Sequence, residues 1–178
     1  MSLENADGYV KEVVNEVEGN EIKKVEDKNE EEEDDESEDE FVGIMVNSNS
    51  LNDIAGEVRM VLIVRNDLGM LKGKAAAQCA HAAVALYKQM RVDSNCESYN
   101  PTMINRWENG GQAKIVLKCD NIEEIEELIM KAASLNINNY LVVDAGRTQV
   151  ASGSATVLGL GPAPRPIMDL VTSSLKLY

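Results

Sequence analysis

The chain is poor in the residues that build metal sites and disulfide frameworks. Its 178 residues include only three cysteines and one histidine. The cysteines stand far apart and form no C-x-x-C pair, at Cys79, Cys96 and Cys119. An odd number of isolated cysteines predicts neither a zinc site nor a set of disulfides. A reducing compartment, the cytoplasm, fits this composition best.

Long apolar runs are also missing. The longest run in the first part of the chain, Phe41 to Val46, is far shorter than the roughly 20 apolar residues that cross a bilayer. The N-terminus carries no basic and apolar leader. We therefore expect neither a membrane-spanning helix nor secretion.

Basic residues are in the minority, with 17 against 31 acids and a net charge of −14. A chain of that charge would repel nucleic acid if the charge were evenly spread. Residues 1–57, however, hold 20 acids and 4 bases, whereas residues 58–178 hold 11 acids and 13 bases. The net charges of these two parts are therefore −16 and +2.

The acidity centres on Glu30 to Glu40, where Ser37 alone interrupts ten acids. Such a segment cannot bury enough apolar surface to offset the entropy lost on ordering it. We therefore predict a disordered acidic tail and linker over 1–57 and one folded domain over 58–178. The tail is either a solvating spacer, the commoner role of a charge run, or a segment that binds an unknown protein partner or competes with RNA for a basic face.

Strand and helix signals alternate along residues 58–178. Short apolar runs predict four strands, at Val58–Val64, Ala113–Lys118, Tyr140–Val143 and Thr156–Leu160, the last stopped by Gly161 and Pro162. Composition and helical periodicity predict three helices, at about 72–91, at about 120–135 with Asp120 and Glu123 as its N-cap signature, and at about 165–175. The polar stretch between the first helix and the second strand, Asp93–Gln112, is predicted to be a loop.

The resulting order, β-α-β-α-β-β-α, predicts an α/β layered domain with a small mixed sheet of about four strands flanked by helices. The last two strands are close enough in sequence to pair antiparallel. Functional sites in such sheets lie at the carboxyl ends of strands.

The first predicted helix carries a polar stripe. Advancing about 100° per residue places Lys74, Gln78, His81 and Lys88 on one side and an apolar, small-residue surface on the other. We expect the apolar surface to contact the sheet and the polar stripe to face out of the core. An ordinary solvated face explains the stripe equally well on this helix alone.

Two further features lie at predicted strand ends. Asp144 follows a buried strand and opens the polar run Asp144–Gln149, where it would serve as a base, as a water-orienting group or, more commonly, as a turn or cap residue. Lys72 and Lys74 begin the first helix beside free backbone N–H groups, an arrangement that favours phosphate. The G-x-x-x-x-G-K-[ST] pattern is missing, which argues against nucleotide hydrolysis.

The charge of 58–178 is also uneven. Five acids lie in Asp120–Glu127, and without that stretch the rest carries 13 bases against 6 acids. If that acidic stretch lies away from the site, the remaining surface can attract a polyanion. The residues that we expect to contribute are Arg65, Lys72, Lys74 and Arg147, although scattered solubilising charge explains each of them equally well.

The motifs at these positions resemble the second peptidyl-tRNA hydrolase family of archaea and eukaryotes. The resemblance rests on Val64–Leu68, Lys72–Ala83, Trp107–Lys118, Asp144–Gln149, Gly153–Gly161 and the terminal Leu175–Tyr178, and so covers nearly all of 58–178. One departure is that Gly69 and Leu71 stand where family members often carry a lysine and a glycine.

The resemblance implies a compact α/β fold that hydrolyses the ester between a peptide and the tRNA 3′ ribose, with no metal or organic cofactor and with dimers plausible. It maps the family's proposed site onto Lys74, Gln78, His81, Asp144 and Thr148. We hypothesise that Asp144 orients or deprotonates water, directly or through His81, that Lys74 with Gln78 stabilises developing negative charge, and that Thr148 positions substrate or water. Arg65, Lys72, Gln78 and Arg147 would bind tRNA. The alternative is a non-enzymatic adaptor that binds tRNA or protein through the same basic face.

Overall fold

A five-stranded mixed sheet lies between two layers of helices. The computed structural model describes residues 43–145 and 150–178. The strands are β1 (Val58–Arg65), β2 (Lys114–Cys119), β3 (Asn139–Asp144), β4 (Ser154–Pro164) and β5 (Lys176–Leu177). The helices are α1 (Lys72–Tyr87), α2 (Pro101–Asn109), α3 (Ile122–Ser134) and α4 (Arg165–Thr172), and α1 continues as a π-helical segment, Lys88–Val92. The predicted α/β layered class is confirmed.

The sheet order is β3-β4-β1-β2-β5. Strand β1 pairs parallel with β2 and antiparallel with β4, which in turn pairs antiparallel with β3 as predicted. The crossovers from β1 to β2 and from β2 to β3 run in opposite directions along the sheet, and right-handed connections therefore place their helices on opposite faces. Accordingly, α1 and α2 cover one face, and α3 packs with α4 on the other.

Strand β1 carries the centre of the core. Its residues from Met60 to Val64 are all buried, because helices cover both faces of this strand. Opposite it, Gly159 of β4 lets α1 approach closely, since a Cβ at this position would lie 2.8 Å from Leu86 Cδ1 and 3.2 Å from Ala82 Cβ. Close contact of α1 with β4 fixes which side of the helix faces the sheet.

The predicted loop Asp93–Gln112 is partly wrong, because it contains helix α2. The Asn100 side chain caps this helix by accepting a hydrogen bond from the Met103 backbone N–H at 3.0 Å. Its buried residues, Met103, Ile104 and Trp107, form an apolar face too short to stand out from the polar residues around it.

Two predicted boundaries are also wrong. Asn121, rather than Asp120, caps α3 by accepting from Glu124 N at 2.8 Å, and the Glu124 carboxylate accepts from Asp120 N at 2.8 Å. Strand β4 continues past Gly161 to Pro164, because a register shift opposite Arg59 and Val61 lets pairing resume beyond this glycine, which has a φ of +85°. The sequence also left β5 unpredicted, a two-residue strand that pairs with the end of β2.

The division of the chain at residue 58 stays a prediction, and residues 1–42 of the predicted tail lie outside the described residues. The described segment 43–57 packs against the domain. Ile44 exchanges two hydrogen bonds with the Asn139 side chain, at 3.0 and 2.9 Å. The Arg106 guanidinium donates to the carbonyls of Asn52 and Ile54 at 2.6 and 2.8 Å. This segment is therefore part of the folded structure.

Candidate active site

The end of β3 and the beginning of α1 bring three predicted site residues together. The Lys74 ammonium forms an ion pair with Asp144 Oδ2, and Gln78 Nε2 donates to the same oxygen at 2.6 Å. Asp144 and Gln78 are each only 4% exposed, whereas the Lys74 side chain is 18% exposed. A nearly buried carboxylate thus receives two donors from one side of a helix.

The orientation of α1 explains why Gln78 takes part. The helix buries the side that carries Ala75, Cys79, Ala82 and Leu86, and Gln78 lies at the margin of this surface, nearest the end of β3. The prediction that the whole polar stripe faces out of the core is therefore wrong for Gln78. A helical wheel fixes the angles between side chains, but only contact with β4 fixes which angle points inwards.

His81 and Lys88 follow the prediction that the stripe faces solvent, because both side chains are exposed. His81 lies one turn beyond Gln78 on α1. Within residues 43–145 and 150–178 it makes no hydrogen bond or ion pair. The structure thus places His81 beside the cluster of Lys74, Gln78 and Asp144 without joining it to Asp144.

Arg65 lies at the same edge of the sheet, at the carboxyl end of β1. Its guanidinium donates to both carboxylate oxygens of Asp67, at 3.1 and 2.5 Å, and to the carbonyl of Ala155 at 3.2 Å. Ala155 pairs with Val143, the neighbour of Asp144. The Arg65 side chain is only 12% exposed, so this arginine is held in place and is not a freely moving surface charge.

Asp67 was not among the predicted residues. It lies in Val64–Leu68, one of the motifs that carry the family resemblance, and stands two positions after Arg65 in the turn between strand and helix. Because its two carboxylate oxygens accept from Nε and Nη2 along one edge of the guanidinium, Asp67 fixes the direction of the Arg65 side chain.

The remaining predicted residues differ in what the structure says of them. Lys72 is exposed at the first position of α1. Arg147 and Thr148 lie outside the described residues. The ends of the segment that carries them meet beside the cluster, since Gly153 N donates to the Asp144 carbonyl at 2.8 Å.

Charge is segregated across the sheet. The five acids of Asp120–Glu127 lie on or beside α3, on the face opposite α1. The sequence predicted that the surface can attract a polyanion if these acids lie away from the site. They do, because they lie on the face opposite the helix that carries Lys72 and Lys74.

The buried thiols of Cys79 and Cys119 do not offer an alternative nucleophile at neutral pH. Burial raises the pKa of the Cys79 thiol to about 11 and that of Cys119 to about 12. A protonated thiol is a weak nucleophile. In the described part of the chain, no group of three or more His, Cys, Asp or Glu side chains is arranged to hold a metal ion, and no helix there is long and apolar enough to cross a membrane.

Comparison with known proteins gives consistent results. A family model described as "Peptidyl-tRNA hydrolase PTH2" matches residues 58–178. The chain is 56% identical over 133 residues to "Peptidyl-tRNA hydrolase 2" of Saccharomyces cerevisiae, covering 75% of this chain and 64% of that protein. It is 50% identical over 124 residues to "Peptidyl-tRNA hydrolase 2, mitochondrial" of Homo sapiens, covering 70% and 66%.

An archaeal relative is matched over almost its whole length. The chain is 42% identical over 120 residues to "Peptidyl-tRNA hydrolase" of Saccharolobus solfataricus, covering 67% of this chain and 98% of the relative. By contrast, the match spans slightly less than two thirds of the yeast and human relatives.

Proposed function

Because the chain belongs to the peptidyl-tRNA hydrolase PTH2 family, we propose that it hydrolyses the ester that joins a peptide to the 3′ ribose of tRNA, releasing both. The observation that carries this proposal is the convergence of Lys74 and Gln78 on the Asp144 carboxylate. The comparisons support the substrate, since each relative named above is called a peptidyl-tRNA hydrolase.

Ester hydrolysis needs a positioned water, a base for its proton, stabilisation of the oxyanion and a proton for the leaving ribose oxygen. We assign the first two tasks to Asp144, with water attacking the carbonyl carbon as the carboxylate accepts the proton. The exposed position of His81, without a contact to Asp144, favours this direct route over a relay through the imidazole. The same proton then passes to the ribose oxygen as the ester C–O bond breaks.

Lys74 and Gln78 supply positive charge and a hydrogen-bond donor beside the carboxylate. In the resting site both interact with Asp144 Oδ2. As negative charge develops on the substrate carbonyl, the ammonium and the amide can redirect a donor towards it. We assign to Thr148 the positioning of substrate or water, and to His81 a supporting contact with the substrate at the solvent side.

Binding of the tRNA is assigned to basic groups at the same edge of the sheet. Arg65 is held there by Asp67, Lys72 opens α1, and Arg147 belongs to the segment that follows Asp144. Gln78 would contact the substrate near the ester. We further propose a homodimer, a protein partner for the acidic tail and a location in the cytoplasm. The bovine and human relatives are named as mitochondrial proteins.

The test is release of an N-blocked amino acid from tRNA by the full chain. We expect Asp144→Asn and Lys74→Ala each to lower kcat by at least about 100-fold, the scale of lost general-base or electrostatic catalysis. Lys131→Ala, which removes an exposed lysine from α3 on the other face, is the matched control and should leave release unchanged. Full activity in both site variants would overturn the assignment.

The adaptor alternative makes a different prediction for the same variants. An adaptor would bind tRNA without releasing the peptide, and substitutions at Lys74 and Asp144 would alter binding alone. No observation on the described residues favours it.

A further inference from the structure

One exposed side of α1 is basic and lacks acids. It begins at the partly exposed Lys74 and continues along four exposed residues, Ala77, His81, Val84 and Lys88, and we call these five residues the α1 ridge. These positions fall within about 80° of one another on the helix. Val84 is 66% exposed and Ala77 is exposed as well. No Asp or Glu occurs from Lys72 to Val92.

The ridge begins at the candidate active site. Lys74 at one end is paired with Asp144. Fourteen residues along the helix, Lys88 lies about 20 Å away, which corresponds to about six phosphates of one strand of a nucleic acid duplex. In the described residues Lys88 has no ion pair. The α1 ridge thus extends from Lys74, which contacts Asp144, to the Lys88 ammonium at the other end of the helix.

Its side chains suit the backbone of a nucleic acid. The small side chain of Ala77 lets a ribose–phosphate backbone come close to the helix, and Val84 offers apolar surface for a sugar face. Two acids contact this helix through side chains. Asp144 pairs with Lys74 at the active-site end, and Glu108 accepts a hydrogen bond at 2.9 Å from the hydroxyl of Tyr87, which points about 100° away from Lys88. The acids of α3 lie across the sheet.

We propose that the α1 ridge is the track along which the tRNA acceptor arm lies when its 3′ end reaches Asp144, and that Lys88 contacts a phosphate several nucleotides from the ester. This inference rests on the proposed function for the identity of the RNA. It goes beyond that function by adding Lys88 and Val84 to the binding surface and by giving the bound arm a direction. Continuity with the candidate active site favours RNA as the occupant, because a tRNA whose 3′ end reaches Asp144 would carry its phosphates past the exposed Lys88 on the same side of the helix.

The experiment measures binding of deacylated tRNA to the full chain over a range of KCl concentrations. At about 0.1 M salt we expect Lys88→Ala to weaken binding about three- to tenfold and to reduce the slope of log K against log [salt] by about 0.9, the value for one lost phosphate contact. Lys88→Arg should restore both. Val84→Glu should weaken binding further, because it places a carboxylate beside the phosphates.

Lys131→Ala again serves as the matched control, since it removes an exposed lysine from a helix on the opposite face. In the release assay Lys88→Ala should raise KM by the same factor with kcat within twofold of the parent. If Lys88→Ala and Val84→Glu both leave the tRNA affinity and its salt dependence unchanged, the proposal that the α1 ridge binds tRNA is wrong.

The two proposals fail in different ways. If the unaltered chain binds tRNA but releases no peptide, the proposed function is wrong, and the tRNA titrations still decide whether the ridge binds RNA. If the unaltered chain releases peptide and the ridge variants bind tRNA normally, the function stands and the ridge is wrong.

Discussion

Lys74 and Asp144 form an ion pair although 70 positions separate them in the sequence. The pair links the first turn of α1 to the last residue of β3. Each group is largely shielded from water, and Gln78 shares the carboxylate oxygen that Lys74 contacts. Lys74, Gln78 and Asp144 are therefore in contact without a bound substrate, and the three residues are coupled to the stability of the fold.

This coupling can be measured by a double-mutant cycle. Lys74→Met should lower the free energy of unfolding by about 3 kcal/mol, because it removes an ammonium that is paired with a nearly buried carboxylate. Asp144→Asn in the Lys74→Met background should recover part of that loss, since the buried negative charge is then gone. Urea unfolding of the parent, both single variants and the double variant provides the values, and strictly additive losses would contradict the pairing.

Close approach of α1 to β4 predicts that a side chain at position 159 destabilises the fold. Gly159→Ala should lower the free energy of unfolding by about 1–3 kcal/mol, because the new Cβ would lie 2.8 Å from Leu86 Cδ1. Gly73→Ala is the control, since a Cβ at Gly73 meets nothing within 4 Å, and it should stabilise the helix by about 0.5–1 kcal/mol. If Gly159→Ala and Gly73→Ala change the free energy of unfolding equally, contact between α1 and β4 does not explain the effect at Gly159.

The segment 43–57 should matter for stability. We expect a chain that begins at residue 43 to unfold at the same urea concentration as the full chain. A chain that begins at residue 58 should lose at least about 2 kcal/mol, because it gives up the burial of Ile44, Val46 and Leu51. The loss should exceed the ordering entropy that the shorter chain is spared. Identical midpoints for the two truncated chains would contradict this.

The buried thiols make stability depend on alkaline pH. Burial raises the pKa of Cys79 to about 11, so between the ordinary thiol pKa and pH 11 the unfolded chain has lost this proton while the folded chain still holds it. The unfolding free energy should therefore fall as pH rises above about 9, by up to about 1.4 kcal/mol per pH unit for each such thiol. Below the ordinary thiol pKa this contribution is constant.

The comparison between the parent and Cys79→Ala isolates this effect from the other groups that titrate in the same range. Urea unfolding at pH 8, 9 and 10 should give a smaller slope for Cys79→Ala, with the remaining slope due in part to Cys119, whose pKa is raised to about 12. Parallel stability curves for the two proteins would show that Cys79 does not titrate differently on folding.

The sequence predicted the sheet and most of its helices because their signals are local. β1 is a continuous apolar run, and α3 has an unbroken helical period. Asp144 and Lys74 could be found as candidates because each stands where a predicted strand ends or a predicted helix begins. Their contact could not be derived from local signals, since it depends on how the sheet is ordered.

The predictions that were wrong, or that the sequence did not yield, depend on contacts between residues far apart in the chain. Gln78 becomes buried because Gly159, 81 positions away, lets α1 settle against β4 at one particular rotation. Strand β4 passes Gly161 because the partner strand shifts register opposite it. The apolar residues of helix α2 and of the segment 43–57 are interrupted by polar residues and show no sustained period. Arg106 of α2 holds the segment through backbone carbonyls, which no side-chain pattern reveals.

The placement of the α1 ridge and the acidic helix α3 on opposite faces gives the folded domain an electric dipole across its sheet. A polyanion that approaches from any direction exerts a torque on such a molecule and turns the α1 face towards itself before contact. The rate of association with RNA should therefore be higher than the domain's small net charge alone would give. Encounter would be governed by orientation as much as by attraction, and salt would slow it by weakening that rotation at a distance.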